Sequence, residues 1–251
     1  MKLSRVIDES SIDYPGKFGP VVFVSGCNFK CGFCHNPDLI NFSSEGIDVG
    51  EFIEDLKKRV ESGWVNGICI TGGEPTLNLE LLDFLTDLRK ININIKLDTN
   101  GSNPTVLGEI LEKNLVDYIA LDVKSDKDNY EKFTGVKGDL NKIEESIRLI
   151  SESKIDFEFR TTLALVLEKE IRWLNKKEIG NMMNWILSLV SEEREKKIKW
   201  NIQKFYSRNK GDILSERFSK EKLPKEFHET PKEELEKAKK ILGKYFNCEI
   251  V

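Results

Sequence analysis

"VVFVSGCNFKCGFCHNP", residues 21–37, joins an apolar, β-branched run to a loop that carries Cys27, Cys31 and Cys34. Val21 to Ser25 have the composition of a strand. The cysteines follow at its C-terminal end, the side on which (β/α) architectures place their chemistry. The 251-residue chain has only five cysteines, and the other two, Cys69 and Cys248, are scattered. An odd count argues against a disulfide framework, and "MKLSRVIDES" at the start has no signal-peptide core. The expected compartment is the cytosol, with thiols reduced. Clustered thiolates then point to a soft metal centre. Three of them satisfy three irons of a 4Fe–4S cluster and leave the fourth iron open. The other reading is a zinc-bearing structural or binding module, with His35 completing a Cys3His site. Adjacent Cys34 and His35 are awkward as two tetrahedral ligands.

Outward from this loop, strand-like runs alternate with amphipathic helical ones. Strands are expected at 21–25, 67–71, 91–98, 117–123, 155–163 and 199–205. Helices are expected over 48–60, where Asp48 and Glu51 form a capping-box-like start, and near 78–89, 104–113, 139–153, 178–194 and 232–244. Strands separated by helices imply right-handed βαβ units and a parallel sheet. The expected fold is α/β, an incomplete (β/α)6 barrel forming one domain over 1–251, with a tail over 206–251 packed on it.

Three of the strands carry a polar face. Asn92, Asn94, Lys96 and Asp98 alternate with Ile91, Ile93, Ile95 and Leu97. Asp122 and Lys124 alternate with Leu121 and Val123, and Asp156, Glu158, Arg160 and Thr162 with Ile155, Phe157 and Phe159. Side chains two apart share a face. With the apolar sets under the helices, the polar sets line a lumen fit for a polar ligand. The alternative is an antiparallel sheet with one wet face.

Composition narrows the function classes. Charged residues make up 33%, hydrophobic ones 39%, and the net charge is −4, a globular balance without the basic footprint of a nucleic-acid binder. No apolar run approaches the roughly 18 residues of a membrane span. Neither nucleic acid nor membrane is an expected partner.

The C-x3-C-x2-C spacing, with Phe33 just before the last cysteine, resembles the signature of the radical SAM superfamily. "TGGEPTL" (71–77), one βα unit later, resembles its GGE motif. "SSIDYPGKFGPVVFVSGCNFKCGFCHNPDLI" (10–40), "LDTNG" (97–101), "ALDVK" (120–124), "FTGV" (133–136) and "FRTT" (159–162) resemble the glycyl-radical-enzyme activating branch. The wording "DYPGK" and "CNFKCGFCHNP" is closer to the anaerobic ribonucleoside-triphosphate reductase activating proteins than to the pyruvate formate-lyase activases.

This resemblance implies a radical SAM fold and a 4Fe–4S cluster held by Cys27, Cys31 and Cys34. It implies S-adenosylmethionine bound by the Gly72–Gly73–Glu74 turn, with Glu74 available to an ammonium. Phe33 would stand beside the adenine, and Lys124 would pair with the cofactor carboxylate, supported by Arg160. Asn36 would order the loop or the cofactor, and Thr99 and Asp122 would lie near it. Asp98, Thr99 and Asp122, with the Ala120 carbonyl, match positions that hold a monovalent cation in pyruvate formate-lyase activase. His35 is not needed as a ligand, and His228 receives no role. "KFYSRNK" (204–210) lacks the histidine that the activase carries after its last strand, which leaves Gln203 as a guess for the final cofactor contact. Phe205, Tyr206, Trp200, Met182 and Met183 read as packing. The implied activity is reductive cleavage of S-adenosylmethionine to a 5′-deoxyadenosyl radical. That radical generates a glycyl radical on a partner, an anaerobic (class III) ribonucleotide reductase, with a flavodoxin- or ferredoxin-type electron donor. The alternatives are another glycyl-radical enzyme or a small-molecule substrate.

Overall fold

The structure, a computed structural model, describes residues 2–43, 45–195, 198–209 and 214–251. Lys210, the last residue of the 204–210 stretch, lies outside them, as do residues 211–213 of the expected tail. The described chain forms two compact units.

The first unit comprises Met1–Asn28, Asp38–Ala120 and Ser153–Asp156. Its elements are β1 (Lys2–Leu3), β2 (Arg5–Ser10), β3 (Gly19–Val24), β4 (Ile47–Asp48), α1 (Val49–Glu61), β5 (Gly67–Gly72), α2 (Leu81–Lys90), β6 (Asn94–Thr99), α3 (Pro104–Glu112) and the start of β7 (Tyr118–Asp122). Strands β3 and β5 pair in parallel, as do β5 and β6. β2 lies antiparallel to β3 at the edge, and β1 pairs with β4. The helices start and stop for local reasons. Asp48 accepts hydrogen bonds from the backbone N–H groups of Gly50 and Glu51 and caps α1. Pro104 opens α3, where its missing N–H costs nothing. Leu56, Leu81, Leu85, Leu88, Leu107 and Ile110 on the helices are fully buried, as are Ile68, Ile70, Ile95 and Leu97 on the strands. Each such side chain contributes about 1.5–3 kcal/mol.

The second unit comprises Phe29–Pro37, Leu121–Glu152 and Phe157–Val251. It contains the end of β7, then α4 (Tyr130–Thr134), α5 (Leu140–Glu152), β8 (Asp156–Leu163), β9 (Leu165–Leu167), β10 (Ile171–Trp173), α6 (Lys176–Leu187), α7 (Glu192–Glu195), β11 (Lys199–Lys204), α8 (Lys232–Leu242) and β12 (Asn247–Ile250). β8 pairs in parallel with β11, and β11 with β12. β9 and β10 form an antiparallel pair. Helix α6 opens with a complete capping box, Asn175 and Glu178. Trp200 and Phe246 stack at 4.9 Å between ring centroids.

The α/β class, the six expected strands and their parallel pairing stand. The wet-faced antiparallel sheet does not, because Lys96 and Glu158 are 2% and 3% exposed. The strand expected at 91–98 begins later. Ile91 caps α2, and Asn92 turns with φ +57° before β6 starts at Asn94. The helix expected over 178–194 ends at Leu187, and residues 192–195 form a separate turn. Neither β2 nor β12 was expected. Among the described residues no helix is long and apolar enough to cross a membrane.

Candidate functional site

In the first unit the Gly72–Gly73–Glu74 turn is built onto the backbone that leads into Cys27. Gly73 N–H donates to Val24 O at 2.8 Å, and Glu74 N–H donates to Gly26 O at 2.7 Å. Gly26 N–H and Cys27 N–H in turn donate to Leu39 O and Ile40 O, each at 2.8 Å. The glycines are required by this contact. Gly72 has φ +118°, and a Cβ there would collide with the Val24 backbone. A Cβ on Gly73 would collide with the carbonyl of Gly26. What they allow is an approach of backbone to backbone, which sets the height of the first cysteine.

Glu74 is 1% exposed. One carboxylate oxygen accepts from Thr76 N–H, Thr76 Oγ1 and Thr99 Oγ1, and the other accepts from Asn100 N–H at 2.6 Å. Burial pushes the carboxyl above its ordinary range, against the pull of these four donors. Three of these bonds fall on one oxygen and one on the other. The Glu74 side chain is a brace between the ends of β5 and β6, and Oε2, with one donor, keeps an acceptor position. Asn100 Nδ2 donates to Asn28 Oδ1 at 3.0 Å, and Asn28 Nδ2 to Ser102 Oγ at 2.9 Å, which fastens the residue after Cys27. On the same strand, Lys96 Nζ lies 2.6 Å from Asp98 Oδ1 and 3.9 Å from Cys69 Sγ.

In the second unit the remaining part of the cysteine loop rests on the end of α4. Lys30 N–H donates to Thr134 O at 2.7 Å. Gly135 ends the helix with φ +69°, and a Cβ there would collide with the Lys30 carbonyl. Cys34 N–H closes a turn onto Cys31 O at 2.9 Å, and Asn36 N–H approaches Cys34 Sγ at 3.4 Å. An N–H aimed at sulfur favours the thiolate form that a metal needs. Phe33 is buried against Phe133 and Phe218, with centroids at 5.8 and 6.0 Å. Its ring thus anchors the loop in an aromatic cluster.

Beside Cys31 stands a group of three charges. Asp122 Oδ2 accepts from Lys124 Nζ at 2.8 Å, and Asp122 Oδ1 from Arg160 Nε at 2.9 Å. Burial acts to raise the Asp122 carboxyl, but the Arg160 and Lys124 charges outweigh it and hold the group down to about 2. Lys124 is pushed the other way. Burial acts to lower it, and the charges of Asp122 and Cys31 raise it above the usual lysine range. The Cys31 sulfur is among the negative groups that favour the Lys124 ammonium. Tyr130 is buried, and burial pushes its phenol above the ordinary range.

His35 Nε2 lies 2.9 Å from Tyr206 O, so that nitrogen carries its proton and donates. Burial lowers the imidazole from its ordinary value. The ring also stacks on Phe205 at 6.4 Å, a position that ties two stretches of chain together. Among the described residues no three His, Cys, Asp or Glu side chains converge as ligands of a single ion. Three cysteine thiols on one short loop, an N–H directed at one sulfur and a lysine ammonium favoured by another fit the donor set of an iron–sulfur cluster.

Gln203 Oε1 accepts from Thr162 Oγ1 at 3.2 Å. Trp200, Phe205 and Met182 are core, as expected. Tyr206 is not: it is 47% exposed, with Lys204 Nζ over its ring at 5.1 Å. Sequence reasoning missed the roles of Thr134, Gly135, Asn28 and Asn100. The signal was present in "FTGV" and "LDTNG", where a Gly after a short helix and an Asn after a strand mark fixed backbone turns.

Residues 21–176 match the Radical SAM superfamily. A glycyl-radical enzyme activating enzyme of Methanocaldococcus jannaschii is 35% identical over 165 residues, 64% of this chain and 67% of that protein. A GTP 3′,8-cyclase of Thermoplasma volcanium is 38% identical over 112 residues, 44% of this chain and 34% of that one. The crystal structure of Streptococcus suis SuiB bound to S-adenosylmethionine superposes with a TM-score of 0.63 at 15% identity, over 92% of this chain and 51% of that one, a likeness of fold. The cysteine loop, the glycine turn beside it and a family match over more than half the chain agree: this protein is an enzyme of the radical SAM superfamily, related within it to the glycyl-radical-enzyme activating enzymes.

Proposed function

We propose that this chain activates a glycyl-radical enzyme, and that its partner is an anaerobic ribonucleoside-triphosphate reductase. Cys27, Cys31 and Cys34 would hold the 4Fe–4S cluster. The backbone of Gly72 and Gly73 would receive the amino end of S-adenosylmethionine. Lys124 and Arg160 would receive its carboxylate. The chemistry supplied by the bound pair is one-electron cleavage of the sulfonium C–S bond, which releases methionine and a carbon radical able to take a hydrogen atom from a glycine Cα.

The chain's own part is to bind and orient. Asn36 N–H and the Lys124 ammonium stabilise negative charge on the cysteine sulfurs. The Glu74 brace and the Asn28–Asn100 link hold the glycine turn and the first cysteine in one frame. Phe33 and its aromatic neighbours keep water from the loop's underside. The observation that supports the reading is the Asp122–Lys124–Arg160 group, whose Lys124 ammonium is favoured by the Cys31 sulfur. A zinc knot has no use for it, and an anionic cluster with a carboxylate-bearing ligand does.

The partner rests on the sequence resemblance over residues 10–40, and a flavodoxin or ferredoxin would supply the electron. The test is to incubate the reduced, reconstituted protein and S-adenosylmethionine with candidate glycyl-radical enzymes and record electron paramagnetic resonance spectra. A doublet glycyl signal on the reductase supports the reading. A signal on another glycyl-radical enzyme alone would reassign the partner. Turnover of a small molecule such as a nucleotide, without any protein radical, would favour the reading suggested by the cyclase relative.

A further inference from the structure

We infer that Lys96 is a built-in cation, and that it takes the charge-balancing place at Asp98 where a free monovalent ion was expected. This rests on the reading of the β6 end as part of a cofactor site. Lys96 is 2% exposed, and its ammonium lies 2.6 Å from Asp98 Oδ1 on the same face of the strand. Cys69 Sγ, on the neighbouring strand, is 3.9 Å away. A lysine so completely desolvated is held by its carboxylate partner, and removing either one strands the other charge.

The side chains expected to ligate an ion already accept hydrogen bonds from the chain. Asp98 Oδ1 accepts from Lys96. Thr99 Oγ1 donates to Glu74 Oε1 at 2.8 Å and accepts from Gly101 N–H at 3.1 Å. Both oxygens of Asp122 accept from Lys124 and Arg160. A free sodium or potassium ion at Asp98 would have to sit beside an ammonium that already neutralises the carboxylate, and Coulomb repulsion opposes that. A hard monovalent ion also needs several oxygen ligands at once, and here it would compete with the donors already on these oxygens. The tether gives the site a permanent charge that does not depend on the ionic composition of the cell. Lys96 thus acts as a positioning residue, holding Asp98 and the "LDTNG" turn that carries Thr99 and Asn100.

The test compares choline, sodium and potassium chlorides at equal ionic strength. Two quantities are read: the melting temperature of the metal-free chain, and S-adenosylmethionine affinity after cluster reconstitution. For the wild type, both should be the same in all three salts. In Lys96→Ala the melting temperature should fall in choline and recover saturably with sodium or potassium, as an ion enters the vacated space. Lys96→Ala/Asp98→Asn should lose that recovery. Saturable stabilisation of the wild type by either ion would overturn the inference while leaving the cofactor reading intact, and it would do so even if the variants failed to fold. A folded Lys96→Ala chain indifferent to every ion would also overturn it. Absence of S-adenosylmethionine binding in every salt would sink the cofactor reading alone, since the melting temperatures still decide the role of Lys96.

Discussion

Lys30 and Gly135 are joined so closely that no side chain fits between them: the Lys30 carbonyl occupies the space a Cβ on Gly135 would need, while Lys30 N–H donates to the adjacent Thr134 O at 2.7 Å. A helix end thereby sets the path of the loop between Cys27 and Cys31. Gly135 adopts φ +69°, so both conformation and space demand glycine. Gly135→Ala is expected to lose more than about 1 kcal/mol of stability. It should also lower the iron bound per chain on reconstitution, because the loop must move. Chemical denaturation and iron analysis of the same preparation check both.

Glu74 should behave as a structural brace. Its carboxylate accepts four hydrogen bonds in a fully buried setting. Glu74→Gln replaces one acceptor oxygen with an NH2 group facing donors, and each buried donor left without a partner costs about 1–3 kcal/mol. The expected result is a melting temperature well below the wild type without any ligand present. An unchanged melting temperature, with only cofactor affinity reduced, would return Glu74 to the ammonium-binding role.

The Asp122 group gives a pH dependence of known sign. Its carboxyl sits at about 2, below the ordinary 3.8. A depressed carboxyl stabilises the fold above its unfolded value and loses that contribution as pH falls through the folded one. The stability gap between wild type and Asp122→Asn should therefore be widest above pH 4, at about 2 kcal/mol or more, and narrow toward pH 2. Urea denaturation as a function of pH measures the gap directly.

His35 should be dispensable for metal. Its Nε2 proton is given to the Tyr206 carbonyl, 171 residues away in the chain. His35→Asn is expected to bind the same iron and sulfide per chain as the wild type, with some loss of stability. A drop in iron content at unchanged folding would make His35 a ligand after all.

Much of this was legible in the sequence, and what was not has physical reasons. Val21 to Ser25, Ile68 to Thr71 and Phe157 to Thr162 read as strands because alternation and β-branching leave little else for them to be. The family was legible because the cysteine spacing and the glycine turn carry its motifs in the sequence itself. Helix α3 lies where its Pro and its period put it, yet the start of β6 was misplaced, because Asn92 in a left-handed turn breaks the alternation without leaving a trace in hydrophobicity. The buried partners were out of reach. "GGE" gives no hint that Glu74 faces Thr99 and Asn100, and "NIKLD" does not reveal that Lys96 folds onto Asp98 with almost no access to water. Such pairings are set by which strand lies next to which, and one sequence reports that poorly. Phe33 was placed by resemblance beside a ligand, whereas its burial against Phe133 and Phe218 depends on residues about 100 and 185 positions further along.

The most direct test of the central claim is anaerobic quantification of 5′-deoxyadenosine. The protein is reconstituted with iron and sulfide, reduced with dithionite and mixed with S-adenosylmethionine, with Cys31→Ala treated in parallel. The account predicts product from the wild type only when both cluster and reductant are present, and none above background from Cys31→Ala. Equal product from the two proteins, or none from wild type that holds a full cluster, binds the cofactor and is supplied with its partner reductase, would contradict it.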